Sequence, residues 1–195
     1  MKKIALITGA TSGIGQATAL KAAEAGFEII ITGRREDRLQ QLAAEIRQKG
    51  SEVLSLCFDV RDAEAVKKAI ENLDDKWKNI AVLVNNAGLA VGVSPLQEGI
   101  LDDWERMIDT NVKGLLYVTR AVAPLMIQKN SGHIVNIASI AGKEVYPGGN
   151  VYCATKHAVD ALSRAMRTDM LKHNIKVTNI APGMVAVSYT HLRAH

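Results

Sequence analysis

An octet of small residues, Thr8-Gly9-Ala10-Thr11-Ser12-Gly13-Ile14-Gly15, follows the apolar run that begins at Lys3 and opens into the helix-prone segment Gln16-Ala17-Thr18-Ala19-Leu20. A chain leaving a buried strand and entering a helix within so few residues needs backbone conformations that glycine adopts most easily. Gly9 and Gly13 allow a close approach of backbone, and Gly15 allows helix and strand to pack. The N–H groups of such a turn, together with the helix dipole, make a site for an anion such as a pyrophosphate. A tight turn without a ligand is the plainer alternative, and the strand–turn–helix context argues against it.

Beyond the octet the same alternation of strand and helix patterns repeats. Short β-branched runs predict strands at Lys3–Thr8, Phe27–Thr32, Glu52–Phe58, Ile80–Asn85, Gly132–Ala138 and Ile175–Ile180. Between them, Leu39, Leu42, Ala43 and Ile46 keep the spacing of an amphipathic helix, and Val66, Ala69, Ile70 and Leu73 do so again. Asp102 reads as the N-cap of one long helix carrying Trp104, Met107, Ile108, Leu115, Val118, Val122 and Leu125. A last helix carries Tyr152, Lys156, Val159, Leu162 and Met166. The pattern specifies an α/β fold: a single doubly wound parallel sheet of the Rossmann type.

Composition narrows the possible functions. A chain of 195 residues with 48% hydrophobic content suits one soluble domain. No apolar run reaches the roughly 18 residues that span a bilayer. Met1-Lys2-Lys3 before an apolar stretch superficially resembles a signal peptide, but the glycine turn ends the stretch too early, so a cytoplasmic protein is expected. The net charge of +4 is spread among acids, and aromatic residues make up only 4%, which argues against nucleic acid as partner. Cys57 and Cys153 form no disulfide framework or metal cluster and read as small apolar fillers. His133, His157, Trp77 and Trp104 read as structural residues.

The second predicted strand ends Ile31-Thr32-Gly33-Arg34-Arg35. A dinucleotide-binding unit selective for NAD would place a carboxylate near here to hold the ribose 2′-hydroxyl. Two guanidiniums suit a 2′-phosphate instead, so NADP is favoured over NAD. The alternative is that both arginines merely begin a solvated helix.

Tyr152 and Lys156 stand four residues apart, which places them on one helix face. An ordinary tyrosine titrates near pH 10. A neighbouring ammonium favours its phenolate, so the pair is a candidate for moving a proton near neutrality. Ser139 follows the fifth predicted strand, and Asn111 lies in the long helix. Each has a plain alternative: a turn cap for Ser139, a polar residue at a subunit seam for Asn111, an exposed i,i+4 pair for Tyr152 and Lys156.

Taken in order, these elements resemble the short-chain dehydrogenase/reductase family from Met1 to about Val185. The octet is similar to the family's cofactor turn, which implies contacts from Gly9, Thr11, Ser12, Gly13, Ile14 and Gly15. Asp59-Val60 resembles the pair that meets the adenine, and Asn86-Ala87-Gly88, after Asn85, the element beside the cofactor. Pro182, Gly183 and Val185 fall where the family's backbone meets the nicotinamide. Asn111, Ser139, Tyr152 and Lys156 fall where its catalytic tetrad falls, with Tyr152 and Lys156 also touching cofactor. The segment from Ala141 to His157 is most similar to NADP-dependent 3-hydroxy acid and serine dehydrogenases.

The resemblance implies hydride transfer between NADP(H) and a small alcohol or carbonyl, such as serine or allo-threonine. In that reaction Tyr152 moves the alcohol proton and Lys156 lowers its pKa. Ser139 holds the substrate oxygen, and Asn111 holds a water linking Lys156 to solvent. A reductase for another carbonyl (a 3-oxoacyl thioester or a sugar) and a non-catalytic dinucleotide-binding scaffold or redox sensor remain alternatives. Lys143 and Tyr146 are local candidates for selecting the substrate.

The family pattern breaks at the tail. Residues 1–186 read as the dinucleotide-binding domain, and 187–195 resemble a translated sequencing adapter rather than native chain. On that reading a substrate lid, a seventh strand and a final helix are missing. Ile175–Ile180 is then a bare sheet edge, and the chain as written is expected to be poorly soluble and nearly inactive. A homotetramer is expected at full length, and at most a dimer for the shortened chain.

Overall fold

The β-branched runs become strands, and the periodic segments between them become helices. The computed structural model describes residues 2–185. In chain order it contains β1 (Ile4–Ile7), α1 (Gly13–Glu24), β2 (Glu28–Gly33), α2 (Glu36–Gln48), β3 (Val53–Cys57) and α3 (Ala63–Glu71). There follow β4 (Ile80–Asn85), α4 (Leu101–Ile108), α5 (Leu115–Gln128), β5 (Gly132–Ile137), α6 (Asn150–Met170) and β6 (Ile175–Ile180). All strand pairings are parallel, in the order β3-β2-β1-β4-β5-β6. The order reverses between β1 and β4, and the crevice outside the carboxyl ends of those two strands is where a doubly wound sheet receives its ligands.

Alternation along each strand divides the core in two. Ile4 and Leu6 of β1 join Val66 and Ile70 of α3, Val118 and Val122 of α5 and Val159 of α6 on one face. Ala5 and Ile7 join Ala19 of α1 and Leu39, Leu42 and Ile46 of α2 on the other. Burial on both faces explains why these strands read as unbroken apolar runs. Trp77 is a core residue, as expected.

The predicted long helix forms without a break from Leu101 to Gln128, with a different cap and a local widening. Ile100, in extended conformation, is the N-cap of α4, and Asp102 lies in the first turn, where its charge suits the helix dipole. Between α4 and α5, Asp109–Gly114 widens into a π-helical turn. Two contacts accompany the widening. Gly114 lies so close to Val60 that a Cβ there would come within 2.7 Å of its Cγ2. Asn111 turns inward to bond the backbone of Leu89 on both sides. Single π turns inside α-helices often mark functional positions.

Beneath the carboxyl ends of the strands runs a buried polar chain. Asn85 Nδ2 donates to Thr119 Oγ1 and to Asn136 Oδ1, each at 2.9 Å. Asn136 Nδ2 donates to Ser163 Oγ at 2.9 Å, and Ser163 donates to the Val159 carbonyl at 2.7 Å. The chain ties β4 and β5 to α5 and α6 at one depth, with Asn136 bonded to both the Asn85 and the Ser163 side chains. Among the described residues β6 pairs with β5 alone, leaving its other edge open. The domain boundary expected near Ala186 and the tail 187–195 lie outside the described residues.

Asn136→Ala strands the Asn85 amide and opens a cavity. Urea denaturation is expected to show a loss of about 2–4 kcal/mol, and a change below about 0.5 kcal/mol would mean the chain is not stabilising.

Candidate active site

The glycine turn and the segment after β4 are sewn together. Thr8 Oγ1 accepts from the backbone N–H groups of Asn86 and Ala87, each at 3.0 Å. Asn86 Nδ2 donates back to the carbonyls of Thr8 and Gly9, at 2.9 and 3.1 Å. Gly9 takes φ +63° and Gly13 φ +56°, both in the left-handed region. A Cβ on Gly9 would come within 2.8 Å of the Ala87 Cα, and one on Gly15 would strike the Gly9 carbonyl. Gly15 therefore packs against the turn itself, a tighter contact than the strand packing expected of it. Ser12 is the N-cap of α1, which leaves the first N–H groups of a twelve-residue helix, beginning Gly13-Ile14, directed at this crevice.

Arg35 reaches across to the same turn. Its Nη2 donates to Thr11 Oγ1 at 2.7 Å and to Ser12 Oγ at 3.1 Å. Arg34 lies 3.7 Å from the Asp59 carboxylate, which Arg61 grips through Nε and Nη2 at 2.9 and 2.7 Å. Burial pushes the Asp59 pKa up, but the Arg61 hydrogen bonds outweigh it and hold the carboxyl below its ordinary value. Arg35 thus stands on the glycine turn itself, and Arg34 beside Asp59. Val60 is turned into the core against Gly114, so its side chain is not offered to a ligand. Cys57 is exposed at the end of β3 rather than buried filler, whereas Cys153 is buried as expected.

The tetrad candidates converge at the other end of the crevice. Tyr152, Thr155 and Lys156 lie on α6, and Lys156 is almost wholly buried. Lys156 Nζ donates to the Ile137 carbonyl at 2.9 Å and lies 5.8 Å from the centroid of the Tyr152 ring. Gly88 faces both Lys156 and Asn111: a Cβ there would stand 3.6 Å from Lys156 Nζ and 3.5 Å from Asn111 Oδ1. Ser139 lies close enough to the Tyr152 phenol to act on its pKa. Its Oγ accepts from the Ala141 N–H at 3.2 Å, as the turn-cap reading of Ser139 requires. The Ile140 N–H donates to the Pro182 carbonyl at 3.0 Å, which brings the segment Pro182-Gly183 beside Ser139. Val185 is half exposed farther along.

Electrostatics here differ from the expectation. Burial raises the Tyr152 pKa, the Ser139 hydrogen bond opposes it, and Cys153 adds to the rise. The anticipated acidification by Lys156 gives way to desolvation of the phenol itself. Desolvation also lowers Lys156, to about 8. The side-chain amide of Asn111 bonds Leu89 N and O and Thr155 Oγ1, at 2.7, 2.8 and 3.0 Å, which ties the Gly88 segment to α6.

Residue order did not single out every contributor. Thr155 Oγ1 accepts from Asn111 and donates to the Tyr152 carbonyl at 2.8 Å, joining two tetrad positions. Its i,i+3 spacing from Tyr152 was a usable signal. Thr8 left none, because its role needs β4 as a neighbour. Tyr152 also borders a cavity of about 230 Å³ lined by Gly92, Val93, Ser94, Glu98, Asp103, Trp104, Met107 and Asn150. Trp104, packed against Gly99, is also a wall of this cavity. A larger, open groove of about 610 Å³ at the far end of α6, lined by Ile127 and residues 168–173, holds none of the candidate residues. Lys143, considered for substrate selection, is bonded to Asp160 at 2.5 Å. Tyr146 lies close enough to Tyr152 and Cys153 for both to add to the rise in its pKa that burial causes. His133 and His157 hold Thr178 and the Cys153 carbonyl, structural roles as expected.

The buried Lys156 gives a pH signature. Its folded pKa is about 8 against 10.5 for an unperturbed lysine, so between those values the unfolded chain binds more protons. Raising the pH through that window therefore stabilises the wild-type fold. Denaturation of the ligand-free protein at pH 7.5 and pH 9.5 is expected to show this gain for wild type and not for Lys156→Met; equal pH responses would contradict the burial of an ionisable Lys156.

Comparison with known proteins bears on the same residues. The short chain dehydrogenase family model matches residues 3–194. NADP-dependent 3-hydroxy acid dehydrogenase YdfG of Escherichia coli K12 is 47% identical over 182 residues, 93% of this chain and 72% of that protein. Sulfoacetaldehyde reductase 2 of Chromohalobacter salexigens is 46% identical over 194 residues, covering 99% of this chain and 77% of the relative. Among solved structures, the closed form of serine dehydrogenase complexed with NADP+ superposes with a TM-score of 0.91 at 45% identity, covering 97% of this chain and 76% of that one. With the glycine crevice, the paired arginines and the Tyr152–Lys156 helix in place, the chain belongs to the short chain dehydrogenase family.

Proposed function

We propose that this protein is an NADP-dependent oxidoreductase that interconverts a short 3-hydroxy acid, such as serine or allo-threonine, with the corresponding carbonyl compound. The observation that carries the reading is the convergence of Ser139, Tyr152 and Lys156 at the crevice formed by Gly9–Gly15 and Asn86–Gly88. A cradle of left-handed glycines at a helix N-terminus fits a pyrophosphate, and Arg34 and Arg35 fit a 2′-phosphate. NADP bound there would supply or accept the hydride. Gly9, Thr11, Ser12, Gly13, Ile14 and Gly15 would hold its phosphates, Asp59 its adenine side, and Asn86, Ala87, Gly88, Pro182, Gly183 and Val185 the nicotinamide side.

Tyr152 handles the proton. A phenol whose pKa is raised by burial is protonated at neutral pH and suited to donate to a carbonyl oxygen during reduction. Ser139, beside that phenol, orients the same oxygen. The Lys156 ammonium, one helical turn away, favours the phenolate that remains. Asn111 and Thr155 hold α6 and the Gly88 segment in register, rather than binding water through the Asn111 amide. The small cavity beside Tyr152 supports a substrate of few atoms over a long acyl chain.

The names of the relatives support 3-hydroxy acids as substrates. The likeness to a sulfoacetaldehyde reductase makes a small anionic aldehyde the second reading. Partly exposed Ile108 and Leu116 on α4 and α5 support pairing of copies through those helices, within a homotetramer. No helix of the described residues is long and apolar enough to cross a membrane, and a cytoplasmic location fits the fold.

Two measurements test the proposal. Tyr152→Phe is expected to cut NADPH-dependent reduction by about 10²–10⁴-fold while NADPH still binds, followed by cofactor fluorescence. Undiminished turnover would refute the assignment, and a panel of hydroxy acids, sulfoacetaldehyde, ketones and sugars identifies the substrate. Arg35→Ala is expected to weaken NADPH by about 10–100-fold and NADH little; equal losses for the two cofactors would remove Arg35 from the 2′-phosphate site.

A further inference from the structure

Asp160 lies one helical turn beyond Lys156 on α6, and its carboxylate is buried where charge is rarely left without reason. Its partners come from three segments. Oδ1 accepts from Lys143 Nζ at 2.5 Å and from Asn179 Nδ2 at 2.7 Å, and Oδ2 accepts from Arg164. Lys143 belongs to the turn that Ser139 caps, Asn179 to the last residues of β6, and Arg164 to the next turn of α6. A single carboxylate thus joins the Ser139 turn, the helix bearing Tyr152 and Lys156, and the strand that leads to Pro182-Gly183.

The same three pieces touch again on either side of this junction. Gly142 lies against the backbone of Lys156, so closely that a Cβ there would come within 2.5 Å of its carbonyl oxygen. The Ala138 N–H donates to the Ile180 carbonyl at 2.7 Å, just before Ser139. Strand pairing ends at Ile137 and Ile180, and beyond them the turn must be held by other contacts. Lys143 is the residue of that turn with a charge-assisted bond to α6, and such bonds are among the strongest available.

We infer that Asp160 is a positioning residue for the reaction, its bonds to Lys143 and Asn179 setting the Ser139 hydroxyl and the Pro182-Gly183 segment against Tyr152. The inference rests on Ser139 and Tyr152 being the groups that meet substrate. Asp160 and Lys143 themselves touch none of the reacting atoms. Misplacing a substrate-orienting hydroxyl by about an ångström costs up to about 10²-fold in rate, which sets the scale of the effect.

Lys143 is half exposed, so Lys143→Met breaks the junction with little risk to folding. In the purified protein, Lys143→Met is expected to lower kcat about tenfold, with KM for the carbonyl substrate, the Kd for NADPH and Tm all close to wild type. Lys143→Arg, which can restore the ion pair, is expected to recover kcat to within about twofold. Asp160→Asn is expected to lower kcat at least as much, and adding Lys143→Met to it to cause no further fall, as for residues acting through one contact. Wild-type kcat in Lys143→Met overturns the inference. So does a rise in KM alone, which would make Lys143 a substrate contact, or a loss of NADPH affinity or Tm that matches the loss of kcat. Tyr152→Phe run alongside separates the two levels: undiminished turnover there sinks the site assignment, whereas its loss with an unaffected Lys143→Met sinks the positioning role alone.

Discussion

The stitch between Thr8 and Asn86 is the contact on which the rest of the molecule depends. Parallel strands that reverse order leave their carboxyl ends diverging, and backbone groups there lose their ladder partners. Thr8 Oγ1 accepts from two N–H groups of the β4 extension, and Asn86 returns two bonds to the β1 extension. Those four bonds close the floor of the crevice and leave glycine backbone facing outward. The N-terminus of α1 and the Arg35 guanidinium then meet at the same turn. The Ala10 N–H on the Thr32 carbonyl and Arg35 on Thr11 and Ser12 hold the other side of the turn.

Helix α6 plays the matching part at the far end. Its inward stripe is polar for much of its length: Tyr152, Thr155, Lys156, Asp160 and Ser163 all point at the sheet or at the loops above it. A helix buried on such a stripe is unfavourable unless each group finds a partner. The partners are Ser139 for Tyr152, Asn111 for Thr155, the Ile137 carbonyl for Lys156, Lys143 and Asn179 for Asp160, and Asn136 for Ser163. Each bond also places the helix, so the phenol and ammonium on it are located by the same contacts that make their burial tolerable.

Much of this was legible from residue order. The octet from Thr8 to Gly15, the β-branched runs and the i,i+4 pair on α6 each follow from local geometry, and the strands fell within a residue or so of their predicted ends. Where local rules failed, a distant neighbour had overruled them. The predicted continuous helix opens into a π turn where Asn111 bonds Leu89 and Gly114 meets Val60, contacts between segments far apart in the chain. Trp104 read as a packing residue and does pack against Gly99, yet it also borders the cavity beside Tyr152. The acidity expected of Tyr152 counted a nearby cation and omitted the desolvation that burial imposes on the phenol itself.

Residue order alone settled the doubly wound sheet, the glycine turn after β1, the arginines that follow β2 and the i,i+4 placement of Tyr152 and Lys156 on α6, because each depends on neighbours within a turn or two of chain. The partners of Lys156 and Asp160, the stitch at Thr8, the spent amide of Asn111 and the net pKa of Tyr152 belong to the folded molecule. Hydrogen bonds and desolvation act over a few ångströms of space, and which groups share those ångströms is fixed when strands β1, β4, β5 and β6 come side by side.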